Sequence, residues 1–164
     1  MSPSVLGATA LTPGLSGAEL TGANLRHANL SGANLSAAGL ENANLAAANL
    51  SEANLENTYL SGANLRDAVL LRADMHIVCL DGGNLRGADL RSADLCNAAL
   101  AGADLRNVDL RGADLSSADL GPREAFMGLA PRGPADLRGA RYDGRTRWPA
   151  GFDPVRAHCH GPND

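Results

Sequence analysis

Between Leu15 and Leu120 a leucine stands at every fifth position, with Met75 as the one replacement. Two places before it there is usually Ala, and just before it usually Asn or Asp, as in Ala23-Asn24-Leu25-Arg26-His27-Ala28-Asn29-Leu30. Of the 22 five-residue units from Pro13 to Pro122, 21 carry Leu at the centre, 17 lead with Ala and 15 carry Asn or Asp second. A period this strict outranks local propensity. On a helix turning about 100° per residue, such leucines drift by roughly 140° each time and spiral around every face. On a strand of period two they alternate faces. A chain that bends once per unit keeps each Leu and its leading Ala inside.

Four such units close a square lap of twenty residues. Stacked laps pair their backbones at roughly 4.8 Å, so 22 units make five and a half laps, a rod of roughly 26 Å. Gly occupies the fifth position of eight units, including Gly17, Gly22, Gly32 and Gly62, where a corner calls for positive φ. Asn and Asp suit turns because they bond their own backbone.

The unit A-[DN]-L-x-x resembles that of the pentapeptide-repeat family, and the likeness covers about two thirds of the chain. The departures are Thr58, Val78, Val108 and Gly83 in place of the leading Ala, and Met75 in place of Leu. The resemblance implies an all-β fold, a right-handed quadrilateral β-helix. Three regions are expected: an N-terminal leader or cap (1–12), the β-helix (13–122), and a C-terminal cap and tail (123–164). The segment Gly121–Pro131 has Pro at a helix start and apolar residues at helical spacing, which predicts a short closing helix. A C-terminal helix often mediates dimer formation in the family, which makes Phe126, Met127 and Leu129 candidate dimer contacts. Ala135-Asp136-Leu137-Arg138-Gly139 re-enters the repeat. Trp148 and Phe152 beside Pro149 and Pro154 suggest a packed aromatic end piece.

Composition narrows the function classes. Aromatics are 3% of the chain, so stacked leucines must serve as the core. A leucine-filled axis leaves no room for an interior ligand. His27, His76, His158 and His160 have no carboxylate or nucleophile at a telling spacing. The glycines follow the five-residue frame and form no phosphate loop. His158-Cys159-His160 lacks a fourth ligand. The sequence therefore predicts no enzyme, no cofactor and no metal site. No apolar run reaches the roughly 18 residues of a membrane span. Three Cys argue against a disulfide framework, and a cytoplasmic protein is expected.

Counting in twenties assigns outward residues to walls. The first wall holds the units centred on Leu15, Leu35, Leu55, Met75, Leu95 and Leu115. The second holds those on Leu20, Leu40, Leu60, Leu80, Leu100 and Leu120; the third starts at Leu25 and the fourth at Leu30. Glu19, Glu41, Glu56, Asp74, Asp81, Asp94, Asp114 and Asp119 then fall on walls one and two, which carry no repeat Arg. All seven repeat Arg fall on walls three and four. Tyr59, Ile77 and Cys79 form a candidate apolar contact among outward residues that include Val69, Leu71 and Ala99.

The resemblance implies a protein partner. The best-known members bind DNA gyrase or topoisomerase IV and protect it from quinolones. An acidic face competing for a DNA-binding surface fits that role, as a DNA mimic that touches neither nucleic acid nor membrane. B-DNA carries one charge per roughly 1.7 Å, so eight acids over this length give about half its density. A scaffold or interaction module without DNA mimicry is the alternative.

Overall fold

A computed structural model describes residues 14–122 and 132–162. The chain winds as a four-sided β-helix. Parallel bridges join residues twenty apart at every fifth position, from Glu19–Gly39 to Ala99–Asp119, without a slip. The ladder then continues past Pro122: Asp104 pairs with Asp136, Asp109 with Arg141, Asp114 with Arg147, and Arg141 with His160. The fourth wall thus climbs Asn29, Asn49, Val69, Asp89, Asp109, Arg141 and His160. That is roughly 29 Å at the usual inter-strand spacing.

Backbone bonding explains the five-residue grammar. Within one unit, the Asn44 N–H donates to the Ala23 carbonyl of the lap before, and the Leu45 N–H to the Asn64 carbonyl of the lap after. The Ala47 N–H reaches Arg66 O on that next lap, and the Ala48 N–H closes the corner on Leu45 O. One donor remains, on the residue after leucine. The Asn or Asp side chain takes it: Ala46 N–H donates to Asn44 Oδ1, Glu56 to Asn54, His76 to Asp74 and Arg106 to Asp104. The Asn/Asp preference is therefore set by a backbone donor that the ladder leaves over.

Every fifth position from Gly17 to Ser117 has positive φ, between 54° and 73°. With the i to i+3 bond across each corner, this is the type II turn pattern, which favours Gly or Asn at that place. Glycine fills eight of these corners, and other residues adopt the same conformation at the rest.

Leucines from Leu30 to Leu115, with Met75, are fully buried, and the leading alanines are nearly so. Thr58 replaces one alanine and is fully buried; its hydroxyl donates to Leu35 O at 2.9 Å. Leu15 and Leu20, at the first lap, are only partly covered. The other end is closed by the tail. Tyr142 meets Trp148 edge-on at 5.8 Å, Trp148 stacks on Phe152 at 4.9 Å, and all three pack on the core. The Asp143 carboxylate accepts the Gly112 N–H, and the Thr146 hydroxyl donates to Leu110 O, which ties this end piece to the last lap.

Among the described residues there is no helix, and none long and apolar enough to cross a membrane. The helix expected within Gly121–Pro131 falls largely on residues 123–131, outside the described ones, as do Phe126, Met127 and Leu129. The expected leader, residues 1–12, lies outside them too.

Two substitutions test this grammar by denaturant unfolding. Leu80→Ala should lower stability by about 2–5 kcal/mol, because a one-side-chain-wide core cannot collapse around the gap. Asn54→Ala should cost about 1 kcal/mol by stranding the Glu56 N–H, while Asn54→Asp should be close to neutral. Equal effects of the two Asn54 changes would refute the side-chain cap.

Candidate functional site

The second wall breaks the grammar. Its column before leucine reads Glu19, Gly39, Tyr59, Cys79, Ala99 and Asp119, so Asn or Asp appears only at the top. On the other three walls that column is Asn or Asp from Asn24 to Asp114, apart from Val69. One second-wall donor is met differently: the Ala101 N–H bonds Asp81 Oδ1 from the lap below, at 3.0 Å. Released from capping duty, the column can present other side chains.

The eight acids of walls one and two divide into distinct classes. Glu19, Glu56, Asp74, Asp94 and Asp119 are exposed, Glu41 and Asp114 half-buried, and Asp81 buried. Asp74, Asp94, Asp114 and Asp119 each use Oδ1 as a cap, for the N–H of His76, Cys96, Ser116 and Gly121. Two tail arginines reach these walls because the chain returns for another lap. Arg147 stacks on Asp114 and donates to its Oδ2 at 3.2 Å. Arg132 lies against the Gly82 and Gly102 corners beside the second wall. The anionic surface is thus concentrated on the lower laps, at Glu19, Glu41, Glu56, Asp74 and Asp94.

On walls three and four the carboxylates pair with arginines. In each Asp-Leu-Arg unit, the Arg folds back on its own Asp: Arg91 on Asp89, Arg106 on Asp104, Arg111 on Asp109, Arg138 on Asp136. These are two-pronged, with Arg106 Nε at 2.8 Å and Nη2 at 2.6 Å from the Asp104 oxygens. The arginine fork holds the Asp89, Asp104 and Asp136 carboxyls below the usual range. Burial opposes this most strongly at Asp109, yet bonds from Arg111 still leave that carboxyl lowered.

Between the first two walls lies the apolar feature. Tyr59 is 47% exposed and Ile77 49%. Tyr59 and Cys79 stack in one second-wall column, and Cys79 Sγ meets Ser61 Oγ at 3.2 Å. Ile77 occupies the corner between walls one and two with φ of 56°. A β-branched residue there carries roughly 1–2 kcal/mol of strain that Gly or Asn would avoid. Val69 is exposed on the fourth wall, away from this group.

The register also assembles a cluster that the linear spacing conceals. His76, Asp94 and Cys96 present one imidazole nitrogen, one carboxylate oxygen and one sulfur within 4.8 Å of one another. Residue numbers 76 and 96 differ by one lap, which is the signal that could have found it. The tail group His158-Cys159-His160 does not converge: Cys159 is buried with its thiol toward Leu137 O, and burial pushes that thiol up to about 11.

The pentapeptide-repeat family model matches residues 15–51, 48–87 and 88–121. Among solved structures, the pentapeptide repeat protein alr5209 from Nostoc PCC 7120 is 35% identical over 72% of this chain and 84% of its own, with a TM-score of 0.45. Rfr23 from the cyanobacterium Cyanothece 51142 is 29% identical over 79% of this chain and 90% of its own, with a TM-score of 0.53. QnrB1, a plasmid-mediated fluoroquinolone resistance protein, is 17% identical over 88% and 82%, with a TM-score of 0.47. No curated protein sequence matches.

The site geometry yields two checks on the isolated protein. Carboxyls lowered in the folded state stabilise it above their unfolded value, about pH 4, and that stability is lost as pH falls through the folded values. Thermal melts should therefore be level from neutral pH down to about pH 5 and drop below about pH 4. Asp104→Asn keeps the cap on Arg106 and should make the acid limb shallower. Ile77→Gly should raise stability by up to about 1 kcal/mol by removing corner strain; a clear loss would mean that Ile77 packs where strain alone does not explain it.

Proposed function

This chain belongs to the pentapeptide-repeat family, and we propose that it is a non-enzymatic, cytoplasmic protein-binding rod whose first two walls dock a basic protein surface. One contrast carries the reading. Carboxylates on walls three and four pair with arginines, whereas Glu56, Asp74 and Asp94 stand on the outer surface, as do exposed Tyr59 and Ile77. An anionic surface flanking an apolar anchor suits a partner with arginine or lysine around a hydrophobic pocket. The filled axis supports a role played on the outside of the rod.

The partner proposed first is DNA gyrase or topoisomerase IV, met at the surface that otherwise holds DNA. The charge pattern supports a partial mimic. The lower-lap acids are sparser than the phosphates of a duplex, at one charge per roughly 1.7 Å, so Tyr59 and Ile77 must contribute. The second reading is an interaction module with no DNA mimicry, favoured by the strained and exposed Ile77, which charge mimicry does not require.

A gyrase supercoiling assay with and without a quinolone separates the two. The native protein should inhibit or protect at micromolar concentration, and the effect should fade as salt rises. The triple variant Glu56→Gln, Asp74→Asn, Asp94→Asn should lose most of it. Its fold should survive, since Asn already caps the same column at Asn34 and Asn54. No effect of the native protein on gyrase would discard the mimic. An effect kept by the triple variant but lost in Tyr59→Ala with Ile77→Gly would move recognition to the apolar anchor.

A further inference from the structure

We propose that His76, Asp94 and Cys96 form a surface site for a zinc ion. The three donors come from two neighbouring laps of the first wall. His76 and Cys96 both follow a central residue, Met75 and Leu95, so they stack in one column. The Ile77 N–H donates to Cys96 O at 3.0 Å, which pins the laps in register beside them. Asp94 stands one column over, on the same unit as Cys96. The three donor atoms lie within 4.8 Å of one another. Tetrahedral zinc has bonds of about 2.3 Å to sulfur and about 2.0–2.2 Å to nitrogen and oxygen. Its ligand atoms therefore sit roughly 3.3–3.7 Å apart. Rotation of the His76 and Cys96 side chains closes the remaining ångström.

The donor set selects the metal class. One sulfur, one nitrogen and one oxygen suit a borderline-soft divalent ion and suit calcium or magnesium poorly. A thiolate and a carboxylate together balance two positive charges. The surroundings suit a bound cation. Asp94 Oδ1 is held by the Cys96 N–H at 2.9 Å, which orients the carboxylate and leaves Oδ2 for the ion. Asn97 Nδ2 donates to Cys96 Sγ at 3.3 Å, the kind of outer contact that steadies a ligating sulfur. Asp74 lies directly below Asp94 in the ladder, and Glu56 directly below His76, adding negative potential. Arg147, on the lap above, is engaged with Asp114. Nor does the fold ask for these residue types. The same column takes Ser36, Glu56 and Ser116 elsewhere, so neither His76 nor Cys96 is required by the coil. Three protein donors leave a fourth position open to water.

The test uses the reduced, full-length chain without a histidine tag, with zinc alone as the probe. Calorimetric titration should give one zinc per chain. Cobalt in place of zinc should show a thiolate-to-metal absorption band. Cys96→Ser should abolish that band, and His76→Ala or Asp94→Asn should each weaken zinc by at least about tenfold. Asn97→Gly, which keeps the corner's positive φ, should weaken it by about tenfold. Circular dichroism confirms that each variant stays wound. Cys79→Ser and the pair His158→Ala, His160→Ala should leave zinc binding unchanged. Absence of zinc uptake at micromolar concentration, or uptake that survives Cys96→Ser and disappears with the tail histidines, would overturn the proposal. Neither result bears on gyrase, so the two readings fail separately.

Discussion

A backbone donor left over by the ladder governs this molecule. Four N–H groups of each unit find carbonyls, three on adjacent laps and one across the corner. The fifth has only a neighbouring side chain, and Asn or Asp supplies the oxygen. Because each such bond is worth about 1 kcal/mol, three of the four walls keep that side chain almost throughout. The second wall does not, and the exposed Tyr59 and the half-buried Cys79 occupy the vacated column. Relaxation of a structural rule is what marks this wall as the place where other chemistry could be fitted.

The leucine axis sets the other limit. Each central side chain is sealed between laps, so the interior is solid from Leu30 to Leu115. Leucine and alanine side chains fill it, and each wall is one strand segment wide. Outward residues therefore act in columns, spaced by the inter-strand distance and repeated by lap. Both the acidic surface with its apolar anchor and the His76–Asp94–Cys96 group are products of that stacking. Neither exists in any five-residue unit taken alone.

Charge behaves differently on opposite walls for a local reason. In Asp-Leu-Arg the cap and the arginine sit on the same outward face, two residues apart, and the guanidinium folds onto the cap. Where Ser, His or Cys replaces that arginine, as at Ser116, His76 and Cys96, the cap's second oxygen has no such partner in its own unit. Asp114 then acquires one from Arg147 in the tail. Counting net charge by wall treats every carboxylate as equivalent. The structure separates buried Asp81, paired Asp114 and exposed Asp74, Asp94 and Glu56.

By itself the amino-acid string determined the coil, the lap length and the wall on which each repeat residue stands. A five-residue period has a single way to keep its leucines together, and uninterrupted repeats carry the register by arithmetic. It also placed the return of the repeat at Asp136 and Leu137. What only the tertiary structure decided lies where that arithmetic stops or where side chains must choose partners. The lap after Leu120 departs from twenty residues, so nothing in the count could bring Arg147 to Asp114 or Arg132 to the Gly82 corner. Positive φ at Ile77 follows from its corner position, but its exposure depends on what the next wall leaves uncovered. The twenty-residue count already stacks His76 on Cys96, but the convergence of their donor atoms with Asp94 depends on side-chain direction across two laps, which residue order does not encode.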